Sequence, residues 1–184
     1  MFVERMRYFF FITFLVLFRN TMGSNDLIRL SCKKAAASDP NLRYKFCVSS
    51  LEAIPQSHGA DLEQLVAITL NLTISNATSI TSTISKLLVE KQFDKYAKEC
   101  LEDCLELYSD ADLTLQDAVG ALKAKDYGKA NIEISSAMDA SSTCEDGFLE
   151  KKGEVYPLKR ENDHFCQLNI ISLAFINTLA QDHK

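Results

Sequence analysis

The sequence predicts an all-α protein, an antiparallel up-and-down four-helix bundle preceded by a helical hairpin and stapled by disulfides. Three observations carry this. Prolines and glycines are sparse, with three and six in 184 residues, which argues for long helices rather than many strands and turns. Apolar residues recur at three- and four-residue steps over four long stretches. Six cysteines follow an N-terminal segment of secretory type, and in an oxidising compartment such cysteines read as disulfides before they read as a metal site.

The N-terminal segment is the apolar run from Tyr8 to Phe18, preceded by Arg5 and Arg7 and followed by Gly23 and Ser24. A charged start, a short apolar stretch and a small-residue exit describe a cleaved signal peptide over residues 1–23. The run is shorter than the ~20 residues a membrane-spanning helix needs. Cleavage after Gly23 leaves 161 of the 184 residues, enough to bury a core of its own. The segment holds Arg5, Arg7 and Arg19 against Glu4, so its removal takes the formal charge from −5 to −7. That acidity, without a basic stripe, disfavours nucleic acid as a partner. It suits a partner of basic or mixed surface, although most of the charge serves as a solvated face.

Residues 24–58 form the expected helical hairpin. Pro40 and Pro55 bracket Asn41–Ala53, and Leu27–Ala37 precedes it; neither piece is long enough to be a stable helix alone. A Cys32–Cys47 bridge would lock the pair, worth about 3 kcal/mol for a loop of that size. Residues 59–184 form the expected bundle. From Asp61 a stripe of Leu65, Ile68, Leu72, Ile80, Ile84 and Leu88 predicts the first long helix, despite interspersed Thr and Ser. The second runs from about Phe93 to Ala124 through Cys100, Cys104, Leu107, Tyr108, Ala111, Leu115, Ala118 and Leu122. The third starts near Asp126, a good N-cap type, and carries Tyr127, Ile134, Ala137, Met138, Ser141, Cys144 and Phe148. Gly153 and Pro157 break the chain before a last helix, Lys159–Ala180, with Phe165, Leu168, Ile171, Phe175 and Leu179 inward. Short connections make neighbours antiparallel.

In that topology Cys104 and Cys144 lie at the same bundle end, so a bridge between them is geometrically sensible. Cys100 and Cys166 are near that end too. They form either a third bridge or a pair of buried free thiols, because their helices are usually diagonal and a bridge needs Cα atoms about 4.4–6.8 Å apart.

The Cys104-Leu-Glu106-Leu-Tyr108-Ser-Asp110-Ala111 stretch, Thr143-Cys144-Glu145-Asp146-Gly147-Phe148 forty residues on, Cys32-Lys-Lys and Tyr44-Lys-Phe-Cys47 together resemble the plant invertase and pectin methylesterase inhibitor family. The resemblance covers essentially the whole mature chain. It implies a four-helix bundle with an N-terminal hairpin and the disulfides Cys32–Cys47 and Cys104–Cys144. It also implies no catalysis, but a stoichiometric complex that blocks a cell-wall or vacuolar carbohydrate-active enzyme. Cys100 and Cys166 depart from the basic four-cysteine pattern. The invertase-directed branch opens its third bundle helix with Pro-Lys-Phe; here the place reads Asp126-Tyr127-Gly128-Lys129, which looks more like pectin methylesterase inhibitors. The expected target is therefore a pectin methylesterase, with acid invertase as the alternative. A third reading is a non-inhibitory helical protein of pollen or allergen type. Carried over by motif, the implied partner contacts are Glu106, Asp110, Asn131, Thr143 and Asp146. A further acidic contact of the family falls at Leu113, which cannot serve in that way. Glu106 and Asp110, at i and i+4 on one face, would read otherwise as plain solvated surface, and Tyr108 as a core residue with a bonded hydroxyl.

No catalytic constellation can be assembled from His58, His164 and His183, and Glu102–Asp103 reads as solvated surface. A zinc site from His164, Cys166, Cys100 and Cys104 is disfavoured by the oxidising compartment. No cofactor and no metal are expected, nor membrane association after signal cleavage. The chain is expected in the extracellular space or cell wall as a monomer, with exchange of a helix hairpin as a route to dimers. Asn71-Leu-Thr73 and Asn76-Ala-Thr78 are glycosylation acceptors in form, with Asn76 the more exposed of the two by its neighbours.

Overall fold

The computed structural model describes residues 27–182, all helices and connections. The expected signal peptide lies outside the described residues, as does His183. Helix α1 covers residues 27–38 and α2 covers Tyr44–Glu52. A 3-10 turn, Pro55–Ser57, leads to the bundle helices α3 (Leu62–Glu90), α4 (Lys95–Lys123), α5 (Tyr127–Leu149) and α6 (Lys159–Asp182). Helix α4 packs on α3 and α5, and α6 closes the ring against the same two. The diagonal pairs are therefore α3 with α5 and α4 with α6.

Each bundle helix from α3 to α5 begins where an aspartate caps it. Asp61 accepts from the Gln64 amide at 2.8 Å while the Gln64 side chain accepts from the Asp61 amide at 2.9 Å, a complete capping box. Asp94 takes the Ala97 amide and Asp126 the Lys129 amide. The serines and threonines of α3 are accommodated because their hydroxyls donate back to carbonyls three or four residues earlier: Thr69 to Val66, Thr73 to Thr69 and Thr83 to Ser79.

The turn between α4 and α5 is three residues long. The Lys125 amide donates to Leu122 and the Asp126 amide to Ala121, both at 2.9 Å, the hydrogen-bond pattern of a Schellman C-cap. Lys125 sits at its left-handed position, φ 59°, where glycine is usual. Asp126 thus finishes α4 and starts α5.

Both expected disulfides are present. Cys32 and Cys47 join α1 to α2 with Cα atoms 5.7 Å apart, and Cys104 and Cys144 join α4 to α5 at 5.0 Å. The third bridge does not form. Cys100 and Cys166 are free thiols, because α4 and α6 stand diagonal and the Cys100 sulfur faces α5, 3.5 Å from the Gly147 carbonyl. Burial pushes both thiols above the ordinary cysteine range, so neither is an activated thiolate. Cys104 is consumed by its bridge, and no three His, Cys, Asp or Glu side chains converge on a metal position among the described residues.

The hairpin docks on α6 and α3. Buried Gln167 of α6 accepts from the Arg43 amide at 2.9 Å and donates to the Asn41 carbonyl at 2.8 Å. Arg43 forms a two-pronged pair with Asp163, and Phe46 meets the His164 ring edge-on at 4.8 Å. The buried stripe of α3 lies partly off the expected one. Leu65, Val66, Thr69, Leu70, Thr73, Ala77, Ile80 and Ile84 are inside. The expected core residues Ile68, Leu72 and Leu88 are only half-buried; Ile68 and Leu72 line the seam under the hairpin.

Candidate functional site

The bundle end near Cys104 is organised by a buried polar chain. The Tyr108 hydroxyl of α4 donates to Asn162 of α6, and the Asn162 amide donates to Glu145 of α5 at 3.3 Å. Tyr108 is fully buried and meets Phe165 edge-on at 5.1 Å. Burial drives the Tyr108 and Tyr156 phenols far above the usual tyrosine range. Tyr108 is therefore the core residue with a bonded hydroxyl that its sequence context predicts. The polar chain ties three helices together and is not arranged for chemistry: no nucleophile, base and oxyanion donor converge there.

What the bundle presents outward is a long exposed face on α4 and α5. On α4, Glu99, Asp103, Glu106, Asp110, Leu113 and Asp117 recur at steps of three and four and are all exposed, so they form one row. On α5 a second exposed row holds Ile132, Ser136, Asp139, Thr143, Asp146 and Glu150. The Cys104–Cys144 bridge fixes the register between the rows. At about 1.5 Å of rise per residue, Glu106 lies close to the level of Thr143. Asp110 lies level with Asp139, and Asp146 with Glu102. Near the bridge both rows bear on one spot: the charges of Asp103 and Glu150 both act on the Cys100 thiol.

Four of the five residues carried over by resemblance, Glu106, Asp110, Thr143 and Asp146, fall in these two rows. Asn131 does not. Its amide donates to Asn177 of α6 at 2.9 Å, so it is half-buried in the α5–α6 seam. The sequence reading passed over Ser136, Asp139 and Glu150; counting threes and fours along the polar side of α5 from Thr143 would have found them. Leu113 and Ile132 stand where the rows carry apolar groups, 61% and 67% exposed. The turn at the top of the face is structural. Asp126 is occupied as a cap, and Tyr127 is buried with its hydroxyl donating to Glu63 of α3 at 3.3 Å. The Asp-Tyr pair thus holds the α4–α5 turn in place instead of projecting from it.

The two sequons are exposed in the opposite order from expectation. Asn71 is exposed, whereas Asn76 is half-buried with its side-chain oxygen enclosed and without a hydrogen-bond partner. The reason is the hairpin, which covers the Asn76 side of α3.

The described residues thus form a disulfide-stapled helical bundle with a docked hairpin and one long exposed face on α4 and α5. The chain matches the plant invertase/pectin methylesterase inhibitor family over residues 26–175. It is 45% identical over 92% of its length to a Platanus acerifolia protein named "Putative invertase inhibitor", covering 94% of that protein. It is 36% identical to pectinesterase inhibitor 12 of Arabidopsis thaliana, over 85% of this chain and 89% of that one. A solved pectin methylesterase inhibitor from Arabidopsis, a mutant form, superposes with a TM-score of 0.66 at 24% identity, over 79% of this chain and 92% of that one. The chain belongs to the plant invertase/pectin methylesterase inhibitor family, whose members are inhibitors of enzymes and not enzymes. No described helix is long and apolar enough to cross a membrane.

Proposed function

We propose that the chain is a secreted inhibitor that blocks a pectin methylesterase in a 1:1 complex through the α4–α5 face. The observation that carries this reading is the pair of exposed rows, in which Glu106, Asp110, Asp139, Thr143 and Asp146 offer acceptors on rigid helices. A rigid acceptor face limits the entropy lost on binding and steers toward a partner rim rich in donors and positive charge. The start of α5 supports the same target, since nothing equivalent to Pro-Lys-Phe opens that helix and Tyr127 is tucked inside. Acid invertase is the second reading, favoured by the name of the Platanus acerifolia relative and by 30% identity to the Arabidopsis thaliana cell wall / vacuolar inhibitor of fructosidase 2.

The test is a parallel titration of the oxidised protein against a plant pectin methylesterase and an acid invertase at mildly acidic pH. Loss of methylesterase activity alone, saturating near one equivalent, is the expected result. Asp110→Lys should weaken it about tenfold, mostly through a slower and less salt-dependent association. Loss of invertase activity alone would overturn the target. Loss of neither, with helical structure intact, would leave the fold without inhibition and overturn the proposal.

A further inference from the structure

We infer that Asn71, and not Asn76, carries an N-linked glycan, and that its first sugar lies in the cleft between the 3-10 turn and α3. The inference rests on the proposed secretory route, since the modification belongs to that compartment.

Three observations point to Asn71. It is exposed on α3, while Asn76 turns its side chain into the seam under α2. That seam is a cavity of about 500 Å³ lined by Phe46, Ser49, Ser50, Ser75, Asn76 and His164 among others. A glycan on Asn76 would compete for this space with Phe46 and His164, the contact that docks the hairpin. Asn71 instead borders an adjoining cleft of about 270 Å³, lined by Ile54, Gln56, Ile68 and Leu72, the first and last of which it shares with the Asn76 cavity. Its walls are largely apolar with one amide, which matches a sugar ring: C–H faces against Ile54, Ile68 and Leu72, and a donor and acceptor from Gln56 for the N-acetyl group.

The structure also sets the timing. Thr73, the third residue of the sequon, is fully buried and its hydroxyl donates to the Thr69 carbonyl at 2.8 Å. A transferase cannot engage that hydroxyl in the folded helix, so modification precedes folding. In the transfer, the Asn71 side-chain nitrogen bonds to C1 of a sugar carried on a lipid pyrophosphate. The C1–O bond breaks, the lipid pyrophosphate leaves with the electron pair, and the amide gives up one proton. Folding then sorts the products: a chain modified at Asn71 packs normally, and one modified at Asn76 does not. Asn71 opens beside Ile54 and Gln56 of the hairpin segment, so the glycan emerges next to the 3-10 turn and not from the exposed rows of α4 and α5.

The experiment is expression of the full chain with its leader in a eukaryotic secretory host, followed by intact mass before and after an N-glycosidase. One glycan is expected in the secreted protein, lost in Asn71→Gln and retained in Asn76→Gln. Secreted protein without a glycan, or with one that survives Asn71→Gln, would overturn the assignment. Chain found only in the cytosol would instead overturn the secretory reading and the inference with it. For the cleft, protein trimmed to a single sugar should melt higher than Asn71→Gln. Equal melting temperatures would overturn the cleft contact, and equal inhibition by the two forms is expected if the glycan lies away from α4 and α5.

Discussion

Tyr108→Phe removes one oxygen atom from the middle of the bundle and leaves the ring in place. The hydroxyl donates to the Asn162 side-chain oxygen, and Asn162 is buried. The loss of a neutral hydrogen bond is worth about 1 kcal/mol, and a buried acceptor left without a donor brings the total to about 1–3 kcal/mol. We therefore expect about 2 kcal/mol of destabilisation. For a chain of this length that lowers Tm by about 4–8 °C, at roughly 2–4 °C per kcal/mol. Urea unfolding at neutral pH should show a lower midpoint at unchanged slope. Adding Asn162→Leu should recover part of the loss, because both partners are then apolar and half-buried Glu145 can turn to water. A single variant within 0.5 kcal/mol of the parent, or a double variant whose losses simply add, would refute the account of Tyr108 as a buried donor.

The same hydroxyl contributes to the alkaline limit, beside the buried thiols Cys100 and Cys166. Burial raises the Tyr108 phenol above its unfolded value of 10.0. A phenol held neutral only in the folded state contributes stability that is complete below pH 10 and lost as pH rises beyond it. The slope is up to about 1.4 kcal/mol per pH unit for that one proton. Tyr156, also raised by burial, adds to the fall in the same window. Tyr108→Phe should be less stable at neutral pH yet show a shallower decline above pH 10.

Lys125→Gly should stabilise the protein by about 0.5–1 kcal/mol, since glycine accepts the left-handed conformation at φ 59° without a Cβ clash; thermal melts would show it. Replacing Cys104 and Cys144 together by Ala should cost about 4 kcal/mol, from opening a 40-residue step, measured by urea unfolding. Reduction of the intact protein should add four hydrogens, two for each bridge, and six would show a bridge between Cys100 and Cys166. Leu113→Glu, at a position 61% exposed, should move stability by less than about 0.5 kcal/mol and tighten inhibition of pectin methylesterase by completing the acidic row; a tenfold weakening would mean that Leu113 with Ile132 is an apolar contact with the target.

The bundle helices were legible because their signals are local. Asp61, Asp94 and Asp126 precede their helices, and the core positions of α4 and α5 keep step with the helical repeat. What misled was the hairpin. Its docking depends on Gln167, Arg43 and Phe46 meeting residues more than a hundred positions away, and no local pattern announces that. It half-buries the Ile68 and Leu72 side of α3 and hides Asn76 among serines that read as a wet surface. The direction of Asn131 was illegible for a similar reason: only its bond to Asn177 shows that it faces α6.

Within the Tyr108-Ser-Asp110-Ala111 stretch, neighbouring residues serve different masters. Tyr108 and Ala111 are inside, while Asp110 is outside. The Cys104–Cys144 bridge lies inside as well, between residues whose neighbours Asp103 and Thr143 are exposed. The register of the two rows is therefore set by groups outside the rows: the buried bridge, the Tyr96 hydroxyl on the Gly147 carbonyl and the Lys151–Asp94 pair. It follows that the rows can change without loss of the fold, because exposed substitutions there cost little. Relatives that share the bridge and the buried tyrosine can keep one bundle and still present different faces. That is the physical reason why a family motif identifies the scaffold more securely than it identifies the enzyme the scaffold meets.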